Sequence, residues 1–192
     1  MAWLAEDRRY ARVAEGQPLL TEKLKTVLRE KYFPRYPSKR AVLLPALHLV
    51  QHEYNWLPSQ AIEEIANFLE IAPAEALDTA SFYEEYWLKP KGKYLLQVCR
   101  SLTCELCQSG NLTQHLSDSL KVDPGETTPD KRYTLVELEC LGACGSAPVV
   151  MINERLYENV DVEQLKQIID TLPEDPHDLK DPGITWEQNH GH

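Results

Sequence analysis

Glycine is scarce in this 192-residue chain, and the eight that occur form no Gly-x-Gly-x-x-Gly loop. Such a loop lets backbone N–H groups approach a dinucleotide pyrophosphate, and Gly142-Ala143-Cys144-Gly145 is too short to serve. The chain alone is therefore not expected to bind and turn over a dinucleotide. Basic residues are also in deficit: 20 Lys and Arg stand against 30 Asp and Glu, a formal charge of -10. That field repels a polyphosphate backbone and argues against nucleic acid as a partner. No stretch approaches the roughly 20 apolar residues that span a bilayer; the best candidate, Ala41 to Val50, is broken by Pro45 and His48. A membrane link is expected only through a partner. Met1 to Gly16, with Asp7, Arg8, Arg9 and Glu15, lacks the apolar core of a signal peptide, which predicts a cytoplasmic protein.

What is present suffices for a folded core, since 43% of the residues are hydrophobic. Four segments are expected: an N-terminal arm over 1–18, a helical bundle over 19–90, a mixed α/β part over 91–172 and a polar tail over 173–192. Within the bundle, Leu20, Leu24 and Leu28 recur at helical spacing, as do Leu43, Leu47, Val50 and Tyr54, and then Ile62, Ile65, Ala66 and Leu69. Pro58 and Ser59 read as a helix start, and Pro73 suits the first turn of a fourth helix running toward Tyr86.

After Gly92 the period changes. Tyr94 to Val98 reads as a strand delivering Cys99 at its end, followed by a helix with Leu112, Leu116 and Leu120 on one face. Asp123-Pro124-Gly125 signals a turn, and a second strand from Tyr133 to Leu138 runs into Cys140. Ala147 to Ile152 is a third strand, Asn153-Glu154 a tight turn into Arg155 to Tyr157, and Asp161 with Gln164 a capping box before a stripe of Val162, Leu165, Ile168, Ile169 and Leu172. The predicted fold is α+β: an N-terminal helical bundle followed by a β-α-β-β-α sandwich of the thioredoxin kind.

All five cysteines fall in that second part, and with no export signal they point to ligation or redox chemistry rather than a structural disulfide. Four residues separate Cys99 from Cys104, three separate Cys140 from Cys144, and 35 lie between the pairs. Two short-spaced pairs at strand ends match the symmetry of a [2Fe-2S] cluster, which takes two thiolates on each iron. Gly142 and Gly145 would let the backbone approach its sulfides. Spacing alone also admits a four-cysteine zinc site, and buried inert thiols are the blandest account.

The string Cys99-Arg-Ser-Leu-Thr-Cys104, followed by Val136-Glu-Leu-Glu-Cys140-Leu-Gly-Ala-Cys144-Gly-Ser-Ala-Pro148, resembles the small iron-sulfur subunit, the E subunit, of bacterial NADH-quinone oxidoreductase, respiratory complex I. Pro124 to Pro129 and Tyr133 to Leu135 resemble that family's link into the second pair, and His52 to Pro58 and Thr79 to Tyr83 its helical part. The resemblance spans about Leu20 to Leu172. It implies a thioredoxin-like [2Fe-2S] domain in which Cys99 and Cys104 ligate one iron and Cys140 and Cys144 the other. It also implies docking on a larger subunit that binds FMN and NADH, further complex I subunits as partners, and a place on the cytoplasmic side of the inner membrane. Related subunits occur in soluble NAD-reducing hydrogenases and NAD-linked formate dehydrogenases. A non-redox interaction module with a structural zinc site is the alternative of another class.

Two departures from the family stand near the first pair: Cys107 adds a thiol, and Gly110 sits further from Cys104 than the usual glycine. Elsewhere, His48 and His52 lie four apart but lack a third ligand, so they read as ordinary helix histidines. Phe82, Tyr83, Tyr86 and Trp87 read as core or partner packing. In the tail, His177, His190 and His192 read as a polar terminus, Trp186 as an anchor onto a partner, and Glu174, Asp175, Asp178 and Asp181 as solvated charge.

Overall fold

A computed structural model describes residues 16–176. The arm's Asp7, Arg8, Arg9 and Glu15, and the tail's His177, Asp178, Asp181, Trp186, His190 and His192, lie outside the described residues. The described chain divides into two compact units between Pro90 and Lys91.

The first unit is helical. Helix α1 (Glu22–Val27) begins where Thr21 Oγ1 accepts the Leu24 N–H, one of the donors a helix start leaves without a partner. It runs on through a wide turn at Leu28–Tyr32 and a tight one at Phe33–Arg35, where Pro34 has no N–H to continue the ladder. Helix α2 (Leu43–Tyr54) carries Pro45 in its first turn, where a missing N–H costs nothing, and ends at Asn55 in the left-handed conformation (φ 66°). Helices α3 (Ser59–Leu69) and α4 (Pro73–Phe82) follow. Their stripes converge on one core in which Leu20, Leu28, Leu47, Val50, Leu57 and Ile65 are fully buried.

Helix α4 stops at Phe82, short of the expected run toward Tyr86. The cause is a tertiary contact: the Gln51 amide donates to Glu85 O at 2.8 Å and accepts the Trp87 N–H at 2.7 Å, taking both backbone groups out of a helix. Leu57 N–H then donates to Trp87 O at 2.7 Å. The aromatic group is split by this ending. Tyr86 is buried, with its hydroxyl donating to Leu44 O and its ring 4.9 Å from that of His48, while Phe82 is 79% exposed.

The second unit is a four-stranded sheet in the order β2-β1-β3-β4 with helices on it. Strand β1 (Tyr94–Cys99) is buried along its whole length, as a strand covered on both faces must be. It pairs in parallel with β2 (Tyr133–Leu138), in a register that runs from Tyr94 opposite Tyr133 to Cys99 opposite Leu138. Its other edge pairs antiparallel with β3 (Val150–Ile152), which turns at Asn153 into β4 (Arg155–Tyr157). A five-residue helix, α5 (Leu102–Leu106), stands between β1 and the longer α6 (Ser109–Leu120), and the sequence pattern gives no sign of it. Tyr94, Leu96 and Val98 alternate into a core shared with Leu112 and Leu116 of α6 and Leu165 of helix α7 (Val162–Asp170). The capping box at Asp161 and Gln164 is formed in both directions.

Strand β3 is shorter than the expected Ala147 to Ile152, because Pro148 offers no N–H to a ladder. At the entry to β1, Gly92 is obligatory on packing grounds: a Cβ there would stand 2.7 and 2.8 Å from the Tyr133 backbone, and the Gly92 N–H donates to Thr134 Oγ1 at 2.6 Å. The thioredoxin-like α+β architecture expected from the element order is thus the one found.

Candidate iron-sulfur site

Parallel pairing of β1 and β2 brings both cysteine pairs to the same end of the sheet, since Cys99 closes β1 and Cys140 follows β2 by two residues. Cys99 N–H donates to Val149 O at 3.2 Å, and Arg100 N–H to Leu138 O at 2.8 Å. Cys104 sits on α5. Both of these thiols are 1% exposed and pack with Val149 in a small apolar cluster of their own, against which Leu141, Ala143 and Ala147 also lie. The loop bearing the second pair therefore covers the first.

Cys140 and Cys144 themselves are exposed. The Gly142 N–H donates to Cys140 Sγ at 3.3 Å, the kind of contact that stabilises charge on a ligand sulfur. Gly142 has φ 78°, a backbone conformation that side chains with a Cβ rarely take. Cys144 opens a single tight turn, Cys144–Ser146, and an added Cβ at Gly142 or Gly145 would meet nothing within 4 Å, so the loop is open above both glycines.

The Cys104 thiol is pushed up to about 11. Burial is the largest cause, the hydrogen bond with Cys99 the next, and repulsion from Cys99 and Cys144 adds to it, while a hydrogen bond from the Val149 backbone pulls the other way. Cys104 thus feels both Cys99 and Cys144, whereas Cys140 Sγ accepts a hydrogen bond from its own loop. Among the described residues no three His, Cys, Asp or Glu side chains stand close enough together to hold a metal ion as they are. The donor set nonetheless suits a thiolate-bound centre: two buried thiols in contact, facing a glycine-bearing loop with two more.

Cys107 is exposed and lies at the C-terminal end of α5, its N–H donating to Thr103 O at 3.0 Å. It stands two residues before α6 rather than within it. His48 is engaged by its ring contact with Tyr86, and His52 is exposed. A surface groove of about 410 Å³ lined by Tyr157, Val160, Gln164 and Ile168 contains no cysteine. The residue that sequence reasoning passes over is Arg100, whose signal is its place directly after one candidate ligand.

A sheet of this order, with cysteines gathered at the ends of two parallel neighbours, is the frame of a thioredoxin-like domain. The match of residues 29–173 to the family model for the thioredoxin-like [2Fe-2S] ferredoxin places the chain in that family. Its relatives narrow the class. The chain is 41% identical to the E subunit of the NADH-quinone oxidoreductase of Rickettsia bellii over 151 residues, covering 77% of this chain and 90% of that one. It is 42% identical to NADH-quinone oxidoreductase subunit 2 of Thermus thermophilus over 130 residues, 67% and 72% of the two chains. The resemblance to the E subunit read from the cysteine string is therefore confirmed. Among solved structures, an NAD+-reducing [NiFe]-hydrogenase in the H2-reduced state superposes with a TM-score of 0.62 at 26% identity. That match covers 69% of this chain and only 23% of the hydrogenase chain. Among the described residues no helix is long and apolar enough to cross a membrane.

Proposed function

We propose that this chain is the electron-transfer subunit of an NADH-oxidising complex of the NADH-quinone oxidoreductase type, and that Cys99, Cys104, Cys140 and Cys144 hold one [2Fe-2S] cluster in it. The observation that carries the reading is the joining of two cysteine-bearing strand ends by the parallel β1–β2 register. When bound, the cluster accepts and releases one electron at a time. Cys99 and Cys104 ligate from the buried side, where Val149 and Leu141 exclude water, and Cys140 and Cys144 close the site from the loop. The Gly142 N–H, already directed at Cys140 Sγ, steadies charge on that ligand.

Electrons reach the chain from a larger partner subunit that binds FMN and NADH, since no dinucleotide loop occurs here. The helical unit over 19–90 supplies the docking surface for that partner, on which the exposed Phe82 and Tyr83 stand. The chain then sits peripherally on the cytoplasmic side of the membrane, held there by further subunits of the complex. The likeness to a hydrogenase chain supports a second reading, the equivalent subunit of a soluble NAD-reducing enzyme. The identities of 41% and 42% to quinone-linked subunits favour the first.

The test is iron and sulfide analysis of the purified chain together with its reduced-state paramagnetic signal. Two irons and two sulfides per chain, lost when Cys144 is replaced by Ser, with no NADH oxidation until a flavin-bearing partner is added, is the expected result. A colourless protein that binds zinc instead would overturn it. Recovery of the untagged chain with membranes, rather than in a soluble assembly, separates the two readings.

A further inference from the structure

The ends of β1 and β2 are joined by more than backbone hydrogen bonds. Arg100 directly follows Cys99, and its guanidinium reaches across to the neighbouring strand: Nη1 lies 3.5 Å from Glu137 Oε2 and Nε 3.4 Å from Glu139 Oε1. Glu139 directly precedes Cys140. One side chain thus spans from the residue after one candidate ligand to the residue before another. Half-exposed ion pairs of this kind, here with Arg100 48% exposed, contribute little to stability. Their field on a nearby charged centre is a separate matter, because a cluster on four thiolates is anionic and gains one more negative charge on reduction.

We propose that Arg100, held between Glu137 and Glu139, is a positioning residue that sets the approach of the two cysteine-bearing strand ends and raises the reduction potential of the cluster they hold. The inference rests on the ligand set proposed above. A cation beside the site favours the more negative, reduced form, and the two carboxylates disfavour it. Arg100 both supplies the cation and neutralises the carboxylates. Removing it therefore shifts the potential down twice over, whereas removing one carboxylate shifts it up. Glu105, next to Cys104, accepts instead from Ser109 Oγ at 3.5 Å at the start of α6. A purely structural clamp predicts otherwise, since breaking it from either side would disturb the site in the same sense.

The experiment compares the iron-loaded full chain with R100Q, R100K and E139Q. Iron and sulfide content are measured first, then the midpoint potential at low ionic strength and at about 1 M salt, where the Debye length falls to about 3 Å. Arg100→Gln is expected to move the one-electron equilibrium about tenfold toward the oxidised form, a drop of about 59 mV. Glu139→Gln is expected to move it upward, Arg100→Lys to restore most of the loss, and both shifts to shrink in high salt. Unchanged potentials in iron-loaded variants, or a downward shift in both R100Q and E139Q, would overturn the inference. If R100Q loads no iron, the sign of the E139Q shift and the position of R100K decide it. A wild-type chain without iron would instead sink the ligand reading, so the two failures are distinct.

Discussion

The helical unit and the α/β unit bury their apolar residues to different ends. In the first, stripes from four helices meet in one continuous cluster, and its most exposed apolar side chain, Phe82, lies with Tyr83 where a helix stops. In the second, the main core beneath the sheet is accompanied by a separate small cluster of Cys99, Cys104 and Val149. That separation puts two thiols in an apolar setting at the sheet's end while the other two remain open to solvent. A core that served stability alone has no need of a second, sulfur-bearing cluster beside it. The difference teaches that the helical unit is shaped by packing, whereas the α/β unit devotes part of its burial to sheltering two of the four proposed ligands.

This comparison can be broken by damaging each core in turn. Leu47 is fully buried among the helices, and Leu47→Ala should cost about 2–5 kcal/mol, the transfer of its side chain plus the cavity left behind. Chemical denaturation followed by far-UV circular dichroism would report the loss. Iron content should stay at the wild-type level, because the cysteines belong to the other unit. If Leu47→Ala emptied the cluster under native conditions, the independence of the two cores would be wrong.

Gly92→Ala is the smaller converse. The added methyl group would sit 2.7 Å from the Tyr133 carbonyl carbon, so β1 or β2 must shift, at about 1–3 kcal/mol for overpacking of this sort. The cost falls on the register that joins Cys99 to the Cys140 loop. Cluster absorbance should then bleach at lower temperature than in the parent, while the helical unit keeps its own transition. A bleaching temperature equal to the parent's would mean that the β1–β2 register does not hold the site together.

Much of this arrangement is legible in the sequence, and the failures have particular causes. Leu43, Leu47 and Val50 announce α2 because an amphipathic helix writes its period into the chain. The end of α4 does not show, because it is decided by the Gln51 side chain some thirty residues earlier in the chain. Helix α5 leaves no signal either: Leu102 and Leu106 are about three-quarters exposed, so no apolar stripe marks it. The two cysteine pairs are readable from spacing. Their unequal burial is not, since Val149 and Leu141, which cover Cys99 and Cys104, come from a distant part of the chain. Arg100 is visible as a residue but not as a link, because its partners become neighbours only through the parallel register.

The smallest expected effect sharpens the ligand assignment within the α/β unit. Cys99, Cys104 and Cys107, with Cys140 after a further 32 residues, also fit the plant-type ferredoxin spacing, in which Cys144 rather than Cys107 would be the spare thiol. The structure separates the two thiols. Both are exposed, but Cys107 stands at the end of α5, not in the loop whose Leu141, Ala143 and Ala147 pack against Cys99 and Cys104. Cys144 lies in the loop that covers those residues and is close enough to Cys104 to raise its pKa. Cys107→Ser should therefore leave the iron content, the paramagnetic signal and the midpoint potential of the loaded chain unchanged within error. Loss of iron in Cys107→Ser, with Cys144→Ser intact, would transfer the fourth ligand to α5 and leave the loop as packing alone.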